Sequence, residues 1–200
     1  VSTQSATVVH SMTSGSAAQR ARIECEAGSY LEYLPDAQIL FPGSRFRSEV
    51  AIRLSGNALA VVADSFLGHD PEGQAGVFSA YFSEIVVEDE AGTSLAVDRL
   101  RIDGAAFAES CPGLSGCYAA QGTMIVAGFD LPAKTVVAEL RRISLDRQIA
   151  VLGFSQLPNN AGLLVRVLAA DGAALKLALY RAWCAARRAL KGSCPQERRK

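Results

Sequence analysis

The chain has 200 residues, half of them hydrophobic, and its 20 basic and 20 acidic side chains cancel to a formal net charge of zero. That length supports one domain with a substantial core, while a balanced charge excludes nucleic-acid binding driven by a basic field. No apolar run reaches the roughly 20 residues a membrane-spanning helix needs, so neither nucleic acid nor membrane is expected as a partner.

Residues 1–9 begin with the strand-like Val1-Ser2-Thr3 and predict an edge or interior strand. Gln19 to Glu26 alternates polar and apolar residues, the period of a half-buried strand. Residues 31–47 read LEYLPDAQILFPGSRFR, with Glu32, Asp36, Arg45 and Arg47 bracketing the apolar Ile39-Leu40-Phe41. Pro35 and Pro42-Gly43 forbid a continuous helix there, since each proline removes a backbone donor and restricts the residue before it. Two short strands joined at the Pro-Gly turn are left.

Further strands are predicted over Glu49 to Leu54, with Val50, Ile52 and Leu54 on one face, and over Ala58 to Ala63, an apolar run suited to cover on both sides. Val77 to Val87 is aromatic and β-branched, as in sheet, and Ala91-Gly92-Thr93 reads as a hairpin turn before Leu95 to Ile102. Gly104, Pro112-Gly113 and Gly116 mark a loop before a strand from Gly122 to Phe129. Turn signals this regular, with no intervening amphipathic helix, predict an all-β sandwich, barrel or solenoid.

The pattern changes after Leu131-Pro132. Val136, Val137, Leu140 and Ile143 have helical spacing, with Pro132 suited to the first turn. A strand pair follows, Gln148 to Phe154 and Gly162 to Ala169, flanking a turn at Pro158-Asn159-Asn160. Asp171 is placed to cap a final helix ending near Leu190, closed by Gly192 and Pro195, with Leu175, Leu179, Trp183, Ala186 and Leu190 as its apolar stripe. No repeat or interdomain linker interrupts the chain, so one domain is expected.

The cation-rich end of the chain (Arg187, Arg188, Lys191, Arg198, Arg199 and Lys200 against Glu197) reads as a solvated helix end complementing the helix dipole. Its alternative is a docking tail for an acidic partner. The five cysteines, Cys25, Cys111, Cys117, Cys184 and Cys194, form no C-x-x-C pair or finger spacing. Their odd number and the lack of a secretory segment predict a reduced, cytoplasmic setting. Cys111 and Cys117 are expected to be buried small hydrophobes rather than a metal clip or redox pair.

Signals for catalysis are weak. Gly113-Leu114-Ser115-Gly116-Cys117 looks only superficially like a nucleophile elbow, without its glycine frame or following helix. His10 and His69, the two histidines, are far apart in sequence and are weak metal candidates. Glu32, Asp64, Glu84, Asp98 and Asp103 all border strand-like apolar sequence. Such charges usually pair with arginine, for which Arg45, Arg47, Arg99 and Arg101 are available, and a lined polar conduit is the alternative. The residues describe a binding or scaffold protein before an enzyme.

Several blocks closely resemble the urease accessory protein D family (UreD, also called UreH). Thr3-Gln4-Ser5-Ala6-Thr7 is similar to its T-x-x-A-T strand, and Glu32-Tyr33-Leu34-Pro35 with Phe41, Gly43 and Arg45 matches its most recognisable block. Asp64 through Gly76, Arg99 to Gly104, and Ser155-Gln156-Leu157-Pro158 followed by Gly162 and Val165-Arg166 keep the family's order over nearly the whole chain. The resemblance implies a mainly β fold, two stacked sheets in a helix-like, solenoid-like arrangement with helical elements near the C-terminus, as a single domain over residues 1–200. It also implies a non-enzymatic scaffold that binds UreF and, through it, the GTPase UreG, docks on apo-urease and passes Ni(II) to it. Nickel would be carried transiently, with no tightly bound cofactor. On this resemblance Glu32, Asp64, Glu84, Asp103 and Arg45 become candidates for the partner surface or nickel passage. Two features depart from the family: Val8, His10 and Ser11 stand where a Lys, an aromatic and an Arg are usual, and the Gly-rich β segment that normally precedes residue 1 is absent. These departures motivate the alternative of a diverged β-rich interaction module without nickel delivery.

Overall fold

The computed structural model describes residues 1–195, and within them the chain alternates between two stacked sheets. The smaller sheet holds β2 (Ala17–Cys25), β5 (Arg45–Leu54), β7 (Ala80–Asp89) and β8 (Ser94–Asp103), in that order. The larger runs β1 (Thr7–Val9), β4 (Gln38–Leu40), β6 (Leu59–Gly68), β9 (Ala120–Gly128), β11 (Gly162–Ala169) and β10 (Ala150–Gln156), with β3 (Tyr30–Tyr33) also paired to β6. From β2 to β7 the chain passes repeatedly from one sheet to the other and back, so β2, β5 and β7 pair in parallel. Three helices complete the described residues: α1 (Gly104–Ala108), α2 (Ala133–Arg141) and α3 (Gly172–Lys191).

The stretch from residue 31 to 47 contains its expected turn between two strands, with Gly43 at φ +74°. β4 lies in the large sheet and β5 in the small one. The Pro42-Gly43 corner therefore carries the chain between layers. β1 is an edge strand, parallel to β4. The loop expected after Gly104 starts with the short α1, because the Asp103 carboxylate accepts from Ala106 N and caps it.

β6 is buried from Ala60 to Phe66 because it is covered on both faces. Its even-numbered side chains face the small sheet. Ala63 and its odd-numbered neighbours pack beneath α3 with Met124, Val126, Leu163 and Val165. Asp171 caps α3 by accepting from Ala174 N at 2.8 Å, and Gly192 ends it at φ +72°. The stripe differs from the expected one. Ala174, Leu175, Ala178, Ala182, Ala185 and Ala186 are buried, while Leu179, Trp183 and Leu190 are only partly covered. Small side chains let the helix axis approach the sheet closely, as at Gly122, where an added Cβ would lie 2.9 Å from Leu179. No helix among the described residues is long and apolar enough to cross a membrane.

Candidate functional site

The layer between the sheets is not uniformly apolar. One cluster includes Val50, Ile52, Ala60, Val62, Ile85, Val87, Ala96 and Ile125. A second includes Phe46, Phe66, Tyr81 and Ile102, with Ala17 and Leu100 against it. On each contributing strand one polar residue occupies the step between the clusters. These are Gln19 on β2, Ser48 on β5, Asp64 on β6, Ser83 on β7, Asp98 on β8, Thr123 on β9 and Arg166 on β11. Strand register aligns six of them: Asp64 pairs with Thr123 and Thr123 with Arg166, while Gln19 pairs with Ser48 and Ser48 with Ser83; Asp98 pairs instead with Ile85, one inward step along β7. A polar stratum thus crosses the protein between two dry clusters.

Asp64 is its centre. The carboxylate accepts from Tyr81 Oη at 2.5 Å, from Ser48 Oγ at 3.1 Å and from Ser83 Oγ. Tyr81 Oη also lies 3.4 Å from Gln38 Oε1. Burial pushes the Asp64 carboxyl above its usual range, against the pull of these donors. The Tyr81 phenol is raised too, by burial and then by the adjacent Asp64 charge. Further along, Asp98 pairs with Arg166, which also donates to Thr123 Oγ1 at 2.9 Å. Burial raises Asp98 despite Arg166, and Asp98 Oδ2 has no hydrogen-bond partner among the described residues. Arg166 is about one-third exposed, so the stratum reaches solvent at this end. At the other end lies Gln19 on β2, and the Tyr33 phenol is raised by burial.

The remaining sequence candidates lie elsewhere. Glu32 faces α3, not the inter-sheet layer; it accepts from Trp183 Nε1 at 2.7 Å, Arg187 Nη1 at 2.6 Å and Tyr30 Oη at 2.8 Å. Burial disfavours its charge, but these three donors outweigh it and hold the carboxyl below its usual range. Glu84 lies on the outer face of the small sheet, bonded to Arg99 at 2.5 Å. Asp103 caps α1, and Arg45 is exposed at the start of β5. Of the five candidates, only Asp64 sits between the sheets.

His10 and His69 come closer than their sequence separation implied, flanking the Phe41 ring at centroid distances of 5.2 and 5.8 Å. Among the described residues, no three His, Cys, Asp or Glu side chains converge as a metal-binding group. Cys111 and Cys117 are exposed, not buried, since their loop leaves the sheets after α1. Ser115 is the buried member of that loop, its Oγ donating to Phe107 O at 2.7 Å, a structural bond.

The basic end is also less solvated than expected. Arg187 holds Glu32, Arg188 holds Glu139 of α2, and the Lys191 ammonium lies 4.4 Å from the Tyr30 ring centre. Arg198, Arg199, Lys200 and Glu197 lie outside the described residues.

Ser48, Ser83, Thr123 and Arg166 escaped the sequence reading. The signal was nonetheless present: Ser48 stands in phase with Phe46, Val50 and Ile52, and Ser83 in phase with Tyr81, Ile85 and Val87. A polar residue on the buried phase of a strand marks a core that needs a partner.

The family model described as UreD urease accessory protein matches residues 1–200. The chain belongs to the UreD family. It is 43% identical over 204 residues to urease accessory protein UreD 1 of Pseudomonas syringae pv. tomato, covering all of this chain and 70% of that protein. It is 35% identical over 201 residues to UreD 1 of Methylorubrum extorquens, and 31% over 188 residues to UreD of Haloarcula marismortui. UreD proteins are non-catalytic factors in urease maturation, so the polar stratum of this UreD chain is not an active site.

Proposed function

We propose that this chain is a urease maturation scaffold that binds UreF and, through it, UreG, docks on apo-urease and helps deliver Ni(II) as cargo. The observation that carries the delivery step is the set of polar side chains between the sheets, centred on Asp64 and ending at the Asp98–Arg166 pair. Oxygen donors suit a divalent ion that must be released again, because hard ligands without thiolate or an imidazole cluster hold nickel loosely. Asp98 Oδ2, buried without a partner among the described residues, supplies an acceptor in that set. Nickel passing here would exchange its water for Asp64 and Asp98 oxygens, at a cost lowered by their negative charge.

The test is complementation of a strain lacking the gene, paired with co-purification of UreF. Asp64→Asn and Asp98→Asn should lower urease activation while UreF still co-elutes. Full activation by the double variant would reject the delivery step. The second reading, an interaction module without nickel delivery, is favoured by the enclosure of Asp64 within the Tyr81, Ser48 and Ser83 hydroxyls. It predicts UreF binding with no activation by the unmodified chain.

A further inference from the structure

Beyond the C-terminal end of α3 the chain turns back along the helix it has just left. Gly192, in the left-handed region, makes the reversal. Pro195 O then accepts from Tyr180 Oη at 3.5 Å, and Arg188 Nη2 donates to Cys194 Sγ at 2.9 Å. Tyr180, Cys184 and Arg188 are spaced four residues apart, so they form one row on the helix. The fold-back therefore lays Cys194 along that row, its two contacts lying one turn to either side of Cys184. Two contacts fix the same fold-back, and they bring together two thiols of different exposure. Cys194 is exposed, while Cys184 is partly covered.

We propose that Cys184 and Cys194 form a peroxide-sensitive thiol–disulfide modification site, with Cys194 the attacking thiol and Cys184 the resolving one. In the first step Cys194 sulfur attacks hydrogen peroxide. An S–O bond forms, the O–O bond breaks, and the departing hydroxide leaves as water with the thiol proton. Arg188, donating to the sulfur, supports the charge it carries during attack. In the second step Cys184 sulfur attacks the Cys194 sulfenic acid. The S–S bond forms, the S–O bond breaks, and water leaves with the Cys184 proton. Two thiols and one peroxide give one disulfide and two waters, and a dithiol reverses the change. The bond would staple residues 193–195 to the helix that Glu32 clamps to the large sheet.

The test treats the reduced full chain with hydrogen peroxide, then blocks free thiols and maps peptides without reduction. The expected result is a Cys184–Cys194 linked peptide, with Cys25, Cys111 and Cys117 recovered as free thiols. Cys184→Ser should lose the link and leave Cys194 reactive toward a dione probe for sulfenic acid. Repeating the oxidation in denaturant should strongly reduce the link, because the fold-back is what aligns the thiols. Recovery of both thiols free, a preferred link to another cysteine, or equal linking in denaturant would each overturn the proposal.

Discussion

Arg187 of α3 and Glu32 of β3, 155 positions apart in the chain, form an ion pair at 2.6 Å whose partners are 29% and 17% exposed. Trp183, one helical turn earlier, donates to the other carboxylate oxygen at 2.7 Å. The signature block of the first quarter of the chain is thereby tied to its last helix.

Replacing Glu32 with Ala leaves the Arg187 guanidinium, the Trp183 indole N–H and the Tyr30 hydroxyl without their acceptor. The expected loss is about 3 kcal/mol, from removing one member of a largely buried pair. Denaturant unfolding at neutral pH measures it. The sign with pH follows from the lowered carboxyl. The clamp's stability is fully present above the unfolded value of about 4.3 and is lost as pH falls through the lower folded value. The gap between native and variant chains should therefore narrow in acid, and a constant gap would contradict the assignment.

Trp183→Phe keeps most of the ring's packing against the sheet but removes the N–H. Glu32 retains Arg187 and Tyr30, so the cost should be about 1.5 kcal/mol, near the lower bound for a hydrogen bond to a charged group. In a double-mutant cycle with Glu32→Ala the two losses should not add, because they share one interaction. Additive losses would mean that Trp183 anchors the helix through packing alone.

Asp64 behaves oppositely with pH. Its carboxyl is raised by burial, so the folded chain keeps that proton to higher pH than the unfolded chain does. Between the unfolded value of about 3.9 and the folded value, stability falls as pH rises. Asp64→Asn cannot ionise and should lose that slope, gaining relative to the native chain as pH increases. Parallel stability curves for the two proteins would show that the carboxylate is already charged at the acid end.

Gly162 opens β11 at φ +143°, and a Cβ there would lie 1.9 Å from Val126 O on β9. Gly162→Ala must push β11 off its neighbour or strain the backbone. A loss of about 2–3 kcal/mol is expected, with amide exchange accelerating first in the β9–β11 pair. Gly153→Ala is the control, since its added methyl meets nothing within 4 Å.

Local chemistry made much of this protein legible from its sequence. The alternation in β2 and β5, the Gly92 hairpin, the Asp171 cap and the Gly192 stop all arise within a few residues, where φ/ψ preference and side-chain period act directly. The colinear blocks likewise sufficed to identify the family. Sheet membership was not legible: β4 and β5 are separated by one turn yet belong to different layers, because pairing depends on distant strands. Nor could sequence distinguish Glu32, turned toward α3, from Asp64, turned between the sheets. Both carboxylates border apolar strands, and their different roles follow from which face is covered and by what. Sequence alone determined the family and the order of most elements, though not α1 or the full extent of β5 and β6. Only the tertiary structure decided that polar residues from seven strands meet between the two apolar clusters, because long-range register, unlike local propensity, is set by the packing of the whole chain.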